Sequence, residues 1–131
     1  MKTHAAIVIR NKNNEILFIK RSMKKKTLPG MFSFPSGTLE DGENVLDTVI
    51  REGYEELGLK LRPIRIIAEK ELHELDVKLI FVLCDIKKGD PIIKDFNEMQ
   101  LKKFTTAGEF RFDAVEKILS SGYFDIALEL G

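Results

Sequence analysis

The sequence predicts an α/β (α+β) fold in which a mixed β-sheet is sandwiched between helices. Residues 3–9, 15–20, 64–71 and 77–86 have the composition and alternation of strands, and residues 43–57 and 113–122 have helical patterns. Because strands stand before, between and after the two helices, packing of helices on a mixed sheet would bury their apolar faces. With 131 residues, the chain is expected to form one domain, residues 1–131, that buries roughly two thirds of its unfolded surface.

The strand-like segments at the start of the chain predict a hairpin. Residues 3–9 and 15–20 are joined by Asn-Lys-Asn-Asn at 11–14, which has the composition of a turn. A short strand is expected at 31–34, before the first helix. Residues 92–108 are polar and irregular in pattern, and we expect them to form a loop. The second helix is expected to begin at the capping box formed by Asp113 and Glu116.

The first helix is predicted by apolar residues at helical intervals. Asp41 is a candidate cap for its start and Gly58 for its end. At about 100° per residue, Gly53 falls in the middle of the predicted buried stripe, where it would let the helix approach its neighbour closely. The stripe is made of Val45, Leu46, Val49, Ile50 and Leu57.

The same helix carries a patch of carboxylates. Glu52, Glu55 and Glu56 fall within an arc of roughly 100° beside the apolar stripe. Like charges at these spacings repel, so something should neutralise them. A solvated acidic face paired with Arg51 is one interpretation. The other is a hard divalent cation, because Mg²⁺ prefers oxygen ligands and binds substrate phosphates together with protein carboxylates.

Composition restricts the classes of ligand. The chain has 21 basic and 21 acidic residues, so its net charge of zero gives no electrostatic footprint for nucleic acid or for an anionic membrane. A small ligand fits better. No apolar run reaches the roughly 18 residues of a spanning helix, and residues 1–10 lack the pattern of a signal peptide, so a cytoplasmic location is expected. Cys84 lies in an apolar segment typical of a buried strand, which favours a structural thiol over a nucleophile.

Residues 37–59 have the form G-x5-E-x7-R-E-x-x-E-E-x-G. At average residue frequencies, an accidental match anywhere in this chain has a probability on the order of one in a million or less. The segment resembles the signature box of the Nudix hydrolases, which cut nucleoside diphosphates linked to another moiety. The box asks for bulky aliphatic residues at two places; Leu59 satisfies one, and Gly53 departs from the other.

The resemblance implies a role for each charged residue of the box. It implies that Glu52, Glu55 and Glu56 bind Mg²⁺, with Mn²⁺ as an alternative, and that the carbonyl of Gly37 is a further ligand. It also implies that Glu52 lies near the attacking water. Arg51 is expected to orient the carboxylates, with Glu43 as its partner or as an outer-sphere contact to the metal.

Two segments outside the box extend the resemblance. Phe34-Pro35-Ser36-Gly37 is similar to the family's F-P-G-G entry to the loop, with Ser36 in place of the first glycine. Glu98 resembles a family glutamate that lies across the cleft and acts as a metal ligand or as the base. The sequence therefore leaves Glu52 and Glu98 as rival candidates for the base.

The substrate is not determined by the box. The spacing of Arg21 and later residues partly resembles the motif of coenzyme A pyrophosphatases, whereas the markers of the ADP-ribose and diadenosine polyphosphate branches are absent from residues 74–77. By resemblance of position, Phe32, Phe81 and Phe104 are candidates for stacking on a base. The favoured hypothesis is a nucleoside triphosphate pyrophosphohydrolase acting on a small-molecule nucleotide. The alternatives to this function are coenzyme A or ADP-ribose pyrophosphatase activity, a regulatory nucleotide-binding module and a plain structural domain. The oligomeric state is also open, and a homodimer is one possibility.

Overall fold

The computed structural model describes residues 1–13, 15–21, 23–24, 32–73, 76–92 and 99–106. These residues form one helix and seven strands that belong to one sheet. The elements are β1 (Lys2–Arg10), β2 (Glu15–Arg21), β3 (Phe32–Ser33), β4 (Ser36–Thr38), α1 (Val45–Leu57), β5 (Lys60–Leu72), β6 (Val77–Lys88) and β7 (Met99–Thr106).

The sheet is mixed, as the sequence predicts. Its main path runs β3-β2-β1-β6-β5, while β4 also pairs with β1 and β7 also pairs with β2. The pairing of β1 with β6 is parallel and the other pairings are antiparallel. The α+β class is therefore confirmed. The second predicted helix, residues 113–122, lies outside the described residues.

The central strands β1 and β6 supply the core on both faces of the sheet. Alternate residues point to opposite faces of a strand, so Ile7 and Val82 face α1, while Val8 and Leu83 face the other side. On the second face, Phe34 stacks on Phe18 with ring centroids 4.8 Å apart. Both faces of the sheet are thus apolar at its centre.

The predicted opening hairpin is present between β1 and β2. The side-chain oxygen of Asn11 accepts hydrogen bonds from the backbone N–H groups of Asn13 and Glu15, at 3.0 and 2.8 Å. The Asn11 N–H also donates to the Glu15 carbonyl at 2.9 Å. Asn11 therefore closes this turn by the local bonding that favours asparagine in turns.

The structure corrects the prediction of a loop over residues 92–108. Residues 99–106 form β7, in which Phe104 lies opposite Leu17 of β2. The polar composition hid this strand because its partner residues lie 78 to 91 positions earlier in the sequence, and local pattern does not report such pairing. The short strand β4 was also missed, and β5 begins at Lys60 rather than at residue 64.

The helix α1 begins and ends at specific caps. Its N-cap is Asn44, not Asp41, and Asn44 forms a capping box with Asp47. The side chain of Asn44 accepts from the Asp47 N–H at 2.9 Å, while the Asp47 carboxylate accepts from the Asn44 N–H at 3.3 Å. Gly58 ends the helix in the left-handed region at φ 66°, as predicted for a C-cap glycine.

The buried side of α1 differs from the predicted apolar stripe. Val45, Val49 and Leu57 are buried, but Leu46 and Ile50 are 41% and 44% exposed. Polar residues take their place, since Thr48 and Glu52 are buried on the opposite flank of the stripe. The helix is therefore rotated so that the flank carrying Thr48 and Glu52 points inward.

Gly53 lies where the helix approaches β5. A Cβ atom built on Gly53 would overlap Cδ1 of Leu61 and would stand 2.9 Å from its Cγ. Leu61 is itself buried in the core on the α1 side of the sheet. The leucine of β5 thus fills the space that a bulky residue at position 53 would need, which explains the departure from the box.

Cys84 is buried in β6, as predicted for a structural thiol. Burial raises its pKa to about 12, so the thiol stays protonated near neutral pH. In the described part of the chain, no helix has the length and apolar character needed to cross a membrane.

Candidate active site

Arg51 is the centre of the candidate site. Its Nε and Nη2 donate to the two oxygens of Glu43, at 2.7 and 2.9 Å. Its Nη1 donates to Oε1 of Glu52 at 2.8 Å and to Oε2 of Glu55 at 3.1 Å. Nη2 also donates to the Thr38 carbonyl at 3.1 Å. One guanidinium therefore ties α1 to β4 and to the loop before the helix.

Glu43 is held by four donors. Its Oε1 accepts from Arg51 and also from the Glu40 N–H at 3.0 Å and the Thr48 hydroxyl at 2.9 Å. The bond from Arg51, followed by that from the Glu40 backbone, lowers the pKa of Glu43 to about 2. The same pairing, with Glu43 as its main cause, raises the pKa of Arg51. Glu43 and Arg51 are thus both charged near neutral pH.

Glu52 is the most enclosed carboxylate of the patch, at 9% exposure. Its side chain lies directly over Gly37 of β4: a Cβ on Gly37 would overlap Cγ and Cδ of Glu52 and would stand 2.6 Å from Oε1. Only glycine leaves room for the carboxylate there. Gly37 is placed by its pairing with Ala5 of β1, so the central sheet determines where Glu52 can lie.

Glu55 and Glu56 complete the acidic face of α1. Glu55 is exposed and contacts Arg51, whereas Glu56 is half-buried. Among the described residues, no three Asp, Glu, His or Cys side chains are placed so that together they could hold a metal ion. Nη1 of Arg51 instead donates hydrogen bonds to two carboxylates, those of Glu52 and Glu55. The donors are all oxygens, which is the ligand chemistry of a hard divalent cation.

The other predicted site residues are placed as follows. Arg21 ends β2 opposite Met99, and Phe32 lies in β3 opposite Lys20. Glu98 lies outside the described residues. Phe81 has no exposed surface and makes an edge contact with Phe34 at a centroid distance of 6.1 Å. The prediction that Phe81 stacks on a base is therefore wrong for this conformation, since its ring is part of the core.

Two residues that contact the cluster were not predicted from the sequence. Glu40 has Oε1 3.5 Å from Nη1 of Arg51, although its side chain is largely exposed. Thr48 contacts Glu43 and is fully buried. The available signal for Thr48 was its position four residues before Glu52, on the same side of the helix. Glu40 lies in a loop and has no such signal.

A family model described as "NUDIX domain" matches residues 2–120. The chain belongs to the Nudix family. A curated relative named 8-oxo-dGTP diphosphatase, from Escherichia coli, is 34% identical over 86 residues, which cover 64% of this chain and 66% of the relative. Nudix hydrolase 6 from Arabidopsis thaliana is 31% identical over 85 residues, which cover 63% of this chain and 30% of the relative. The matched segment thus spans less than two thirds of either curated relative.

Solved structures of Nudix proteins share the fold. A NUDIX hydrolase from Nitrosomonas europaea has a TM-score of 0.72 at 17% identity, over 93% of this chain and 72% of that one. A MutT protein from Methanosarcina mazei has a TM-score of 0.68 at 23% identity, over 88% of this chain and 95% of that one. The family predicted from the box is confirmed.

Proposed function

We propose that this Nudix protein hydrolyses a phosphoanhydride bond of a nucleoside triphosphate in a reaction that requires Mg²⁺, with Mn²⁺ as an alternative. The products would be a nucleoside monophosphate and pyrophosphate. The observation that carries the proposal is the convergence of Glu52 and Glu55 on one cationic nitrogen beside Gly37. Such a cluster of oxygen donors suits a divalent cation and the phosphates that accompany it.

The residues that would hold the cation are Glu52, Glu55, Glu56 and the carbonyl of Gly37. A bound divalent cation would offset phosphate charge and make the phosphorus more electrophilic. Nη1 of Arg51 lies between two of these carboxylates and would keep them side by side for the cation. Glu43 keeps the guanidinium in place through Nε and Nη2.

The chemical step needs a base and an orienting group. Water attacks phosphorus, its proton passes to a carboxylate, and the bond from phosphorus to the bridging oxygen breaks. Glu52 is our choice for the proton acceptor, because it is enclosed and its position is set by two neighbours, Gly37 and Arg51. Glu98 is the rival. Arg51 acts by orienting Glu52 rather than by transferring a proton, since its raised pKa keeps it protonated.

A triphosphate substrate is favoured by one of the relatives. The Escherichia coli protein that is 34% identical over 86 residues is named an 8-oxo-dGTP diphosphatase. Other candidates are coenzyme A and nucleotide sugars such as ADP-ribose. A regulatory module would bind a nucleotide without turnover.

A substrate panel tests the proposal. Purified protein is incubated with dGTP, 8-oxo-dGTP, ADP-ribose and coenzyme A, with Mg²⁺, Mn²⁺ or EDTA, in water enriched in ¹⁸O. We expect cation-dependent release of pyrophosphate from a triphosphate, with ¹⁸O in one product only. If product forms only from coenzyme A or only from ADP-ribose, the protein is a pyrophosphatase of that substrate class and the triphosphate proposal is wrong. Tight nucleotide binding with no product under any condition would favour the regulatory module.

The choice of base is tested separately. Glu52→Gln and Glu98→Gln are compared with Glu69→Gln, which removes only an exposed ion pair with Lys78. A general base contributes typically 10²- to 10⁴-fold to the rate. We expect a loss of that size in Glu52→Gln and a smaller one in Glu98→Gln. The reverse order would assign the base to Glu98.

A further inference from the structure

Thr48 is a fully buried polar residue on the functional side of α1. Among the described residues, only Thr48 and Glu52 are polar or charged and also buried. Thr48 precedes Glu52 by four positions and Arg51 by three, so all three lie on neighbouring parts of the helix surface. Burial of a hydroxyl is costly unless it is hydrogen-bonded, and the bond that it makes therefore matters.

The Thr48 hydroxyl has two acceptors within reach. Oε1 of Glu43 lies at 2.9 Å, and the carbonyl of Asn44 lies at 3.1 Å. Threonine in a helix commonly bonds back to the carbonyl four residues earlier, with no functional meaning. The closer, ionised acceptor is Glu43, and hydrogen bonds to ionised groups are roughly twice as strong as neutral ones.

The bond from Thr48 adds a further constraint to a carboxylate that Arg51 and the Glu40 N–H also hold. Both oxygens of Glu43 must face Nε and Nη2 of Arg51 for the two-pronged contact at 2.7 and 2.9 Å. The β-branched side chain of threonine has few χ1 rotamers in a helix, so the direction of its hydroxyl is restricted before the bond to Glu43 forms. Once Glu43 is oriented, Nη1 of Arg51 falls 2.8 Å from Glu52.

We infer that Thr48 is a positioning residue: its hydroxyl orients Glu43, and through Glu43 it sets where Arg51 holds the carboxylates. The inference rests on the proposed function, because those carboxylates are the proposed ligands of the divalent cation. It assigns Thr48 an indirect role, with no contact to the cation or to the substrate.

The matched pair Thr48→Ser and Thr48→Ala tests the inference, because the two variants differ by one oxygen atom. Binding of Mn²⁺ to the full chain without nucleotide is measured by the electron paramagnetic resonance of free Mn²⁺. We expect the Kd for Mn²⁺ to rise about 10-fold in Thr48→Ala and to stay close to the wild-type value in Thr48→Ser. At saturating Mn²⁺, the KM for nucleotide should stay unchanged in both.

A second comparison asks whether the effect passes through Glu43. In a Glu43→Gln background, replacing Thr48 by alanine should change the Kd for Mn²⁺ by much less than it does in the wild type. Equal Kd values for Thr48→Ala and Thr48→Ser, an undiminished effect in the Glu43→Gln background, or no Mn²⁺ binding by wild type would overturn the inference. If wild type binds Mn²⁺ but hydrolyses no nucleotide, the proposed function fails, while the Kd comparison still decides the role of Thr48.

Discussion

Replacement of Arg51 by lysine is the sharpest test of the cluster's architecture. Arg51 donates five hydrogen bonds from three nitrogens, four of them to carboxylate oxygens. The lysine ammonium has three donors on a single nitrogen and cannot span these acceptors. At least two charge-assisted bonds are lost, each contributing roughly 1.5 kcal/mol at the low end. Because Arg51 is 20% exposed, water replaces part of the roughly 3 kcal/mol, which leaves a net loss of about 2 kcal/mol.

Urea denaturation in EDTA measures the loss, with Arg62→Lys as the control. Arg62 is exposed on β5, and an exposed substitution of this kind changes the free energy of unfolding by less than about 0.5 kcal/mol. For Arg51→Lys we expect a decrease of about 2 kcal/mol with an unchanged m value, and a Tm lower by roughly 6–10 °C. If the two variants lose the same amount of stability, the hydrogen bonds of the Arg51 guanidinium do not stabilise the cluster more than an ammonium would.

Three further predictions concern the glycines and the pH dependence. Gly53→Leu should lower the free energy of unfolding by about 2 kcal/mol, because the new side chain collides with Leu61. Adding Leu61→Ala should recover at least about 1 kcal/mol of that loss. If urea denaturation shows that the losses of the two single variants simply add in the double variant, this explanation is wrong. Gly37→Ala should reduce kcat about 100-fold by displacing Glu52, and an unchanged kcat would show that the close approach is unimportant. The pKa of Glu43 is lowered from 4.5 to about 2, so the stability advantage of wild type over Glu43→Gln should be complete above pH 4.5 and shrink as pH falls towards 2. Urea titrations at pH 7, 4.5 and 3 measure it, and a constant difference would be inconsistent with the lowered pKa.

The sequence predicted the helix of the box and the sheet around it because both depend on local periodicity. Alternation identified β1, β2 and β6, and helical spacing identified α1 with Gly58 at its end. The pattern could not place β7, because its partner β2 is distant in the sequence. It also assigned Leu46 and Ile50 to the core, although the helix turns the flank that carries Thr48 and Glu52 inward.

At the site, residue types were predictable and contacts were not. The spacing of Arg51 and the glutamates pointed to one patch. The hydrogen bonds of Arg51 depend on the positions of Thr38 and Glu43. Thr38 lies in the short strand β4 and Glu43 in the loop before α1, and neither position follows from local sequence pattern. The sequence likewise could not explain why glycine replaces a bulky residue at position 53, because the explanation depends on the position of Leu61 in β5.

In the proposed function, the carboxylates of α1 carry a cation-dependent hydrolysis. The most direct measurement compares kcat for the substrate found in the panel, at saturating Mg²⁺, among Glu55→Gln, Glu56→Gln and the control Glu69→Gln. We expect at least a 10-fold loss in each of the first two, because each removes a proposed ligand, and wild-type turnover in the control. Wild-type turnover in both Glu55→Gln and Glu56→Gln would contradict the account.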